Sequence, residues 1–102
     1  MSALTEKQKR QLRTLGHNLK PVVIIGQAGL SESIFEEINA QIEAHELIKV
    51  RVNADTREAR DAYISNILER THTALAQKIG HVILIYRGNA KKPKIKLESI
   101  SK

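Results

Sequence analysis

Cysteine is absent from the 102-residue sequence, and only three residues are aromatic. Without cysteine the chain can form no disulfide bond and offers no thiolate ligand to a metal ion, which fits a reducing compartment. The aromatic residues are Phe35, Tyr63 and Tyr86, and the first two fall at core positions of predicted helices. A sheet surface that stacks nucleic-acid bases on aromatic rings is therefore not expected.

Long hydrophobic runs are missing as well. No stretch of about eighteen apolar residues occurs, and no charged segment followed by an apolar one opens the sequence, so neither a membrane span nor a signal peptide is predicted. We therefore expect a cytoplasmic protein. The length favours one domain with a single hydrophobic core, which we place at residues 1–88, followed by a basic tail at residues 89–102.

The motifs of common enzyme classes are incomplete. The segment Gly26–Gly29 lacks the third glycine of a dinucleotide fingerprint, and no Lys-Ser or Lys-Thr pair follows it at the spacing of a P-loop. The four histidines are scattered and the acidic residues do not cluster at a predicted strand end, so no metal site and no catalytic residue is predicted. We expect no enzymatic activity and no cofactor. A small nucleotide-dependent enzyme is the weakest alternative, which saturable binding of a free nucleotide would support.

Positive charge is abundant and unevenly distributed. The net charge is +6, and residues 1–20 and 88–102 each carry five basic residues against one acidic residue. This asymmetry favours a polyanionic partner. Nucleic acid fits better than a membrane surface because no segment sets Trp or Phe opposite its charges. The alternative is that the basic ends only improve solubility.

The chain is organised around a strand, a glycine loop and a helix start. Val22–Ile25 consists of four β-branched apolar residues, the composition of a strand that is buried on both faces. Gly26 and Gly29 follow, with Gln27 and Ala28 between them, and Ser31 is a suitable N-cap for the next helix. Backbone N–H groups of this loop and the positive end of the helix dipole predict a phosphate site.

A first helix begins at Thr5 and ends near Leu15. Its apolar positions fall within an arc of about 80°: Leu4, Leu12, Leu15 and Leu19. Basic residues occupy the opposite arc: Lys9, Arg10, Arg13, His17 and Lys20. The pattern predicts a helix that docks through its leucines and presents a basic outer face.

The second half of the chain predicts one strand, one helix and a hairpin. Leu47–Asn53 alternates between apolar and polar residues, which puts Lys49 and Arg51 on an open strand face. Asp55 or Thr56 caps a third helix that ends near Thr71, and its inward positions are Ala59, Tyr63 and Ile67, with Leu68 as a further candidate. Residues 73–79 either extend that helix or form a short strand, and the Gly80-His81 turn before the strand at residues 82–86 favours a hairpin.

Several of these segments together resemble a known family. They are Lys20-Pro21-Val22-Val23, Ile25–Leu30, His45–Arg51, and Ile79-Gly80-His81 with Leu84–Arg87. They resemble the CRM domain (chloroplast RNA splicing and ribosome maturation) in its stand-alone bacterial YhbY-like form. The resemblance implies a single-domain α+β fold in the order α-β-α-β-α-β-β, with helices on a four-stranded mixed sheet, similar to the C-terminal domain of translation initiation factor three.

The resemblance also implies a function. It implies RNA binding through the Gly-x-x-Gly loop and association with precursors of the large ribosomal subunit. Many family members have lysine where this chain has Gln27, which can donate hydrogen bonds to a phosphate but carries no charge. We therefore expect neighbouring cations to contribute more to RNA binding. The predicted RNA-binding residues are Gly26, Gln27, Ala28, Gly29, Lys9, Arg10, Arg13, Lys20, Lys49, Arg51 and Arg87.

The resulting hypothesis is a monomeric protein that binds large-subunit ribosomal RNA, or its precursor particle, and assists ribosome assembly without enzymatic activity. The alternative is a protein-interaction module that docks on a ribosomal protein or an assembly factor through an exposed sheet. Binding that weakens steeply with salt would favour the first. Association that resists both salt and ribonuclease would favour the second.

Overall fold

The computed structural model describes residues 4–26 and 29–89, together with Lys91 and Ile95. Three helices and four strands follow one another in the predicted order: α1 (Glu6–Gly16), β1 (Pro21–Ile25), α2 (Glu32–His45), β2 (Leu47–Val52), α3 (Arg57–Thr71), β3 (Ala74–Ile79) and β4 (Val82–Tyr86). The predicted α-β-α-β-α-β-β fold with a four-stranded mixed sheet is therefore confirmed. The ambiguous segment before Gly80 is a strand, so the predicted hairpin is confirmed as well.

The sheet has the strand order β1-β2-β4-β3. Strands β1 and β2 are parallel, with Ile24 opposite Arg51, whereas β4 runs antiparallel to both β2 and β3. Because β1 and β2 are parallel, they finish at the same end of the sheet. The turn between β3 and β4 reaches that end too, since Val82 lies opposite Arg51.

Helices α2 and α3 cover one sheet face and form the main core. The twelve buried members of this core are Val23, Ile25, Phe35, Ile38, Ile42, Ile48, Val50, Val52, Ile64, Ile67, Ile83 and Ile85. The strand members alternate in sequence, as expected for one face of a pleated sheet. Ile64 was not among the predicted inward positions of α3, where Tyr63 and Leu68 are only half-buried.

Helix α1 lies on the other sheet face and covers part of it. Leu12 is fully buried there in a second cluster with Leu47, Ala76 and Leu84. The helix approaches the sheet closely at Gly16, where an added Cβ would lie 2.8 Å from a Leu84 methyl carbon. A glycine at this position allows α1 to pack against β4 without displacing Leu84.

Each helix begins at a predicted side-chain cap. The Thr5 hydroxyl accepts the N–H of Gln8, and the Gln8 side chain accepts the N–H of Thr5, which completes a capping box. Ser31 and Thr56 cap α2 and α3 in the same way, through the N–H groups of Ile34 and Ala59. Of the two predicted caps for α3, Thr56 is the one used.

Two predictions about burial were wrong. Strand β1 is not buried on both faces: it is an edge strand, and Val22 and Ile24 are 43% and 59% exposed. The leucine arc of α1 is not wholly docked either, because Leu15 is 49% exposed and Leu19 is 38% exposed. Both errors have one cause. The sheet face on which α1 lies is wider than α1, so its β1 side stays uncovered.

The C-terminal tail contacts the domain in its described residues. Ile95 packs against the cluster around Leu12, as do Leu4 and Tyr86. The sequence also predicts a contact of Leu97 with the domain, and this residue lies outside the described residues. None of the helices in the described part of the chain has the length and apolar character needed to cross a bilayer.

Candidate nucleic-acid interface

The glycine loop lies at the end of the sheet where β1 and β2 finish, which we call the loop end (Gly26, Gly29, Asn53 and the Gly80-His81 turn). The Gly29 N–H donates to the Gly26 carbonyl oxygen over 3.0 Å and closes the loop as a tight turn. The next strand is tied to it, because the Asn53 N–H donates to the Ile25 carbonyl oxygen. Gln27 and Ala28 lie outside the described residues.

The two glycines have different surroundings. Gly29 has a φ of +78°, which disfavours any other residue, and an added Cβ would lie 3.1 Å from the Tyr63 hydroxyl oxygen. An added Cβ at Gly26 would meet nothing within 4 Å. Gly29 is therefore required by the fold of the loop, whereas Gly26 borders open space. Since the Gly29 N–H is bonded within the turn, it contributes less to a phosphate site than the sequence predicted.

The start of α2 carries an acidic residue beside the loop, and a cation neutralises it. Arg70 of α3 donates to both carboxylate oxygens of Glu32, at 3.1 and 2.9 Å. The same guanidinium lies 4.1 Å from the centroid of the Phe35 ring. This pairing reduces the repulsion that Glu32 would exert on an anion near the helix N-terminus.

Lys49 and Arg51 lie on the sheet face opposite α2 and α3, as predicted from the alternation in β2. Arg51 is exposed, and its Nε–H donates to the Asn53 side-chain oxygen over 3.2 Å. Within the described ranges, no carboxylate forms an ion pair with Lys49 or Arg51. Both charges are therefore available to a ligand.

The end of α1 brings further cations to the same face. Arg13 and His17 line a cleft with Lys49, and Lys20 lines a neighbouring groove that also contains Lys49. We call the uncovered surface that carries Arg13, Lys20, Lys49 and Arg51 the basic sheet face. Four of the predicted RNA-binding residues are thus brought together, although they span about forty positions in the sequence.

The other two predicted RNA-binding residues of α1, Lys9 and Arg10, lie one turn before Arg13. Lys9 is partly buried, and its Nζ lies 3.8 Å from a Glu6 carboxylate oxygen. Arg10 is exposed. By helical spacing both lie on the side of α1 that carries Arg13, so they can extend the basic sheet face.

Arg87 does not join this surface. It lies beyond β4 at the opposite end of the sheet, where its guanidinium donates to the side-chain oxygens of Asn39 and Glu43 and to the Thr71 carbonyl oxygen, at 3.1, 3.1 and 2.6 Å. Its side chain is only 24% exposed. The predicted ligand role of Arg87 thus conflicts with its surroundings, in which it ties α2 to the end of α3.

Sequence reasoning missed Glu46, which organises that same end. Glu46 is fully buried with a φ of +66°, and its carboxylate accepts the backbone N–H groups of Asn89 and Ile95. Its carbonyl oxygen accepts the N–H of Arg87. We call this region the tail end (Glu46, Tyr86, Arg87, Asn89 and Ile95). The signal in the sequence was a lone carboxylate directly between a helix and an apolar strand.

The pKa of the Tyr86 hydroxyl is changed by the surroundings of Tyr86 at the tail end. Desolvation by burial raises the pKa of the Tyr86 hydroxyl above its ordinary value, and the negative charge of Glu46 raises this pKa further.

Among the described residues, no group of three or more His, Asp or Glu side chains is arranged to hold a metal ion.

Comparison with known proteins identifies the family. The model of the CRS1 / YhbY (CRM) domain matches residues 4–87. The matched range and the α+β fold together define a CRM-type domain. This chain belongs to the CRS1/YhbY (CRM) domain family.

Individual relatives match over nearly their whole length. A probable RNA-binding protein of Pseudomonas aeruginosa is 39% identical over 98% of this chain and 95% of its own length. An RNA-binding protein of Haemophilus influenzae is 42% identical over 85% of this chain and 88% of its own. The solution structure of a hypothetical protein from Staphylococcus aureus matches this chain with a TM-score of 0.79 and 38% sequence identity. The match covers 93% of this chain and 99% of the Staphylococcus chain.

Proposed function

We propose that this protein binds RNA by its sugar-phosphate backbone. One observation carries the proposal: Arg13, Lys20, Lys49 and Arg51 gather, without a paired carboxylate in the described ranges, on a sheet face that leads to the glycine loop. The names of the Pseudomonas and Haemophilus relatives support RNA as the polyanion. Few aromatic side chains are available for stacking, which favours recognition of the backbone.

In this proposal the loop and the basic sheet face bind different phosphates of the RNA. An RNA phosphate lies against the loop at Gly26–Gly29, whose sequence includes Gln27 and Ala28, and the α2 dipole favours negative charge there. The four cations of the basic sheet face, with Lys9 and Arg10 beside them, release counterions from neighbouring phosphates. Arg87 is left out because its guanidinium is used within the fold. The protein holds RNA and carries out no covalent chemistry.

The proposed target is large-subunit ribosomal RNA within a precursor particle, bound by a monomer in the cytoplasm to assist assembly. This finer assignment follows from the family resemblance of the glycine loop and of the His45–Arg51 block. Sedimentation of cell extract through sucrose gradients at low and high salt tests it. Co-migration with large-subunit particles that is lost at high salt supports the assignment, and migration at the top of the gradient under every condition contradicts it.

The decisive test of RNA binding uses Gly26. An added side chain there meets open space, whereas a change at Gly29 would strain the loop and press on Tyr63. We expect Gly26→Asp to weaken RNA binding at least about tenfold, because it places a negative charge beside a phosphate. The matched control Gly26→Ala adds the Cβ without the charge and should retain most of the affinity.

Fluorescence anisotropy with labelled fragments of large-subunit ribosomal RNA measures both variants, and circular dichroism verifies that they are folded. Equal affinity of Gly26→Asp and the unmodified protein would refute the role of the loop. Absence of binding by the unmodified protein would refute RNA binding altogether.

A protein-interaction module is the second candidate. The observation that favours it is the exposed apolar surface of the sheet at Val22, Ile24 and Ile79. Association with ribosomal particles that survives both high salt and ribonuclease would support this candidate against RNA binding.

A further inference from the structure

The basic sheet face is also the most apolar exposed part of the described surface. Five large hydrophobic side chains are between 38% and 64% exposed: Leu15, Leu19, Val22, Ile24 and Ile79. All five lie on the uncovered sheet face or on the end of α1 that borders it. Apolar groups concentrated on one surface mark a binding site more often than the same groups scattered singly.

Apolar and basic residues lie side by side along β1 and β2. Ile24 is the register partner of Arg51, and Pro21, just before Val22, is the partner of Lys49. Two parallel rows result: an apolar row on β1 and a cationic row on β2. A single nucleic-acid strand presents the complementary pair of rows, apolar base faces and charged phosphates.

The two rows lead into a groove of about 300 Å³ between α1 and β1. Its apolar wall includes Leu15, Leu19, Val22 and Leu47. The ionisable residues that line it are Lys20, His45 and Lys49. The groove therefore combines an apolar interior with basic groups only, which suits an uncharged ring that is attached to an anion.

We infer that single-stranded RNA follows the β1–β2 rows from the glycine loop to this groove. The bases lie against Ile24 and Val22, the phosphates lie near Arg51 and Lys49, and one unstacked base enters the groove beside Lys20. Val22 and Gly26 are four residues apart on an extended strand, about 13 Å, so a few nucleotides cover the path. This inference rests on the proposed RNA binding and adds its strand type and path.

The inference also predicts weak sequence preference. Aliphatic side chains contact the face of any base, whereas specificity requires hydrogen bonds to base edges. A duplex hides its base faces by stacking, so a blunt double-stranded RNA can use the cations but not the apolar row.

Two substitutions of Ile24 test the path. Ile24 is 59% exposed and lies in the edge strand β1, so both variants should fold. We expect Ile24→Thr to weaken binding of a single-stranded oligonucleotide by about three- to tenfold, because one to two buried methylene equivalents are lost. The matched control Ile24→Leu keeps all the carbon atoms of the side chain and should leave binding within about twofold of the unmodified protein.

The probes are a mixed-sequence single-stranded RNA and a blunt duplex of the same length, each titrated over a range of salt. Ile24→Thr should weaken binding of the single strand at every salt concentration without changing the slope of log K against log salt, because it removes no charge. Its affinity for the duplex should equal that of the unmodified protein.

The outcomes separate this inference from the proposed function. If the single strand binds and Ile24→Thr binds it as tightly as Ile24→Leu, the path is wrong while RNA binding stands. If the duplex is affected as strongly as the single strand, the single-strand assignment is wrong. If the unmodified protein binds neither probe, and Ile24→Thr instead abolishes ribonuclease-resistant association with ribosomal particles, the apolar row docks a protein.

Discussion

The loop end and the tail end of the sheet both present arginine, but they use it differently. Arg51 near the loop end is exposed, and its Nε–H donates to the neutral amide oxygen of Asn53. Arg87 at the tail end is mostly covered, and it donates to Asn39, Glu43 and Thr71. In the sequence the two residues look alike, since Arg51 lies within an apolar strand and Arg87 directly follows one.

The comparison shows that the partners of a cation, and not its residue type, decide whether it is available to a ligand. At the tail end the buried Glu46 carboxylate accepts two backbone N–H groups, and the Arg87 guanidinium donates to three acceptors of α2 and α3, so both side chains hold the fold together. Near the loop end, Lys49 and Arg51 have no carboxylate partner in the described ranges, so their charges face solvent. The predictions below test this division, in order of decreasing effect.

The largest effect is expected from Glu46→Ala. Removing the buried carboxylate leaves the N–H groups of Asn89 and Ile95 without this acceptor and opens space in the tail end. We expect the free energy of unfolding to fall by about 2–4 kcal/mol, as measured by urea denaturation. Trypsin should also cleave faster at the exposed Lys91, which lies between the two anchored residues.

Glu37→Ala is the control for that experiment. Glu37 is an exposed carboxylate in α2, so its removal should change the free energy of unfolding by less than about 0.5 kcal/mol. Equal stability of the two variants would contradict the anchoring role of Glu46.

The next effect is expected from Arg87→Ala. The substitution removes donors from Asn39, Glu43 and the Thr71 carbonyl, and we expect a loss of about 2 kcal/mol in the free energy of unfolding. RNA affinity measured where the variant is folded should stay within about twofold of the unmodified protein. A large loss of RNA affinity without a loss of stability would show that Arg87 contacts RNA.

Arg51→Gln should give the opposite result. Its side chain is exposed and unpaired with any described carboxylate, so stability should change by less than about 0.5 kcal/mol. RNA binding should weaken, and the slope of log K against log salt should become shallower by about 0.7 for the lost phosphate contact. An unchanged slope would show that Arg51 meets no phosphate.

Local features of this fold could be predicted from the sequence. The caps at Thr5, Ser31 and Thr56 and the alternation in β2 depend on residues within a few positions of one another. The burial of β1 could not be predicted in this way. Val22 and Ile24 have the composition of a central strand, but exposure depends on which strands pair and how much of the sheet α1 covers.

The candidate site was predictable to a similar extent. Strand alternation was enough to place Lys49 and Arg51 on one open face, and the glycine loop was evident from its motif. The environment of Arg87 could not be predicted, because its hydrogen-bond partners lie 16, 44 and 48 residues away in sequence. Glu46 was overlooked because the N–H groups that its carboxylate accepts belong to Asn89 and Ile95, more than forty residues away in sequence.

The smallest predicted effect concerns pH at the tail end. Burial and the charge of Glu46 raise the pKa of Tyr86 in the folded protein above the ordinary value of 10.0. The folded protein therefore retains this proton at pH values where the unfolded chain loses it, so stability falls as pH rises above about 10 and through the raised pKa. Tyr86→Phe removes this titration but keeps the ring against the cluster that contains Leu12 and Ile95.

We therefore expect urea denaturation at about pH 8 and about pH 11 to show a smaller alkaline loss of stability for Tyr86→Phe than for the unmodified protein. Lysine deprotonation affects both proteins alike, so the difference between them isolates Tyr86. Parallel losses would mean that Tyr86 ionises equally well in both states, and Glu46 would then exert no measurable field on it. Since Glu46 also binds the tail, such a result would weaken the view that its carboxylate lies in a water-poor site.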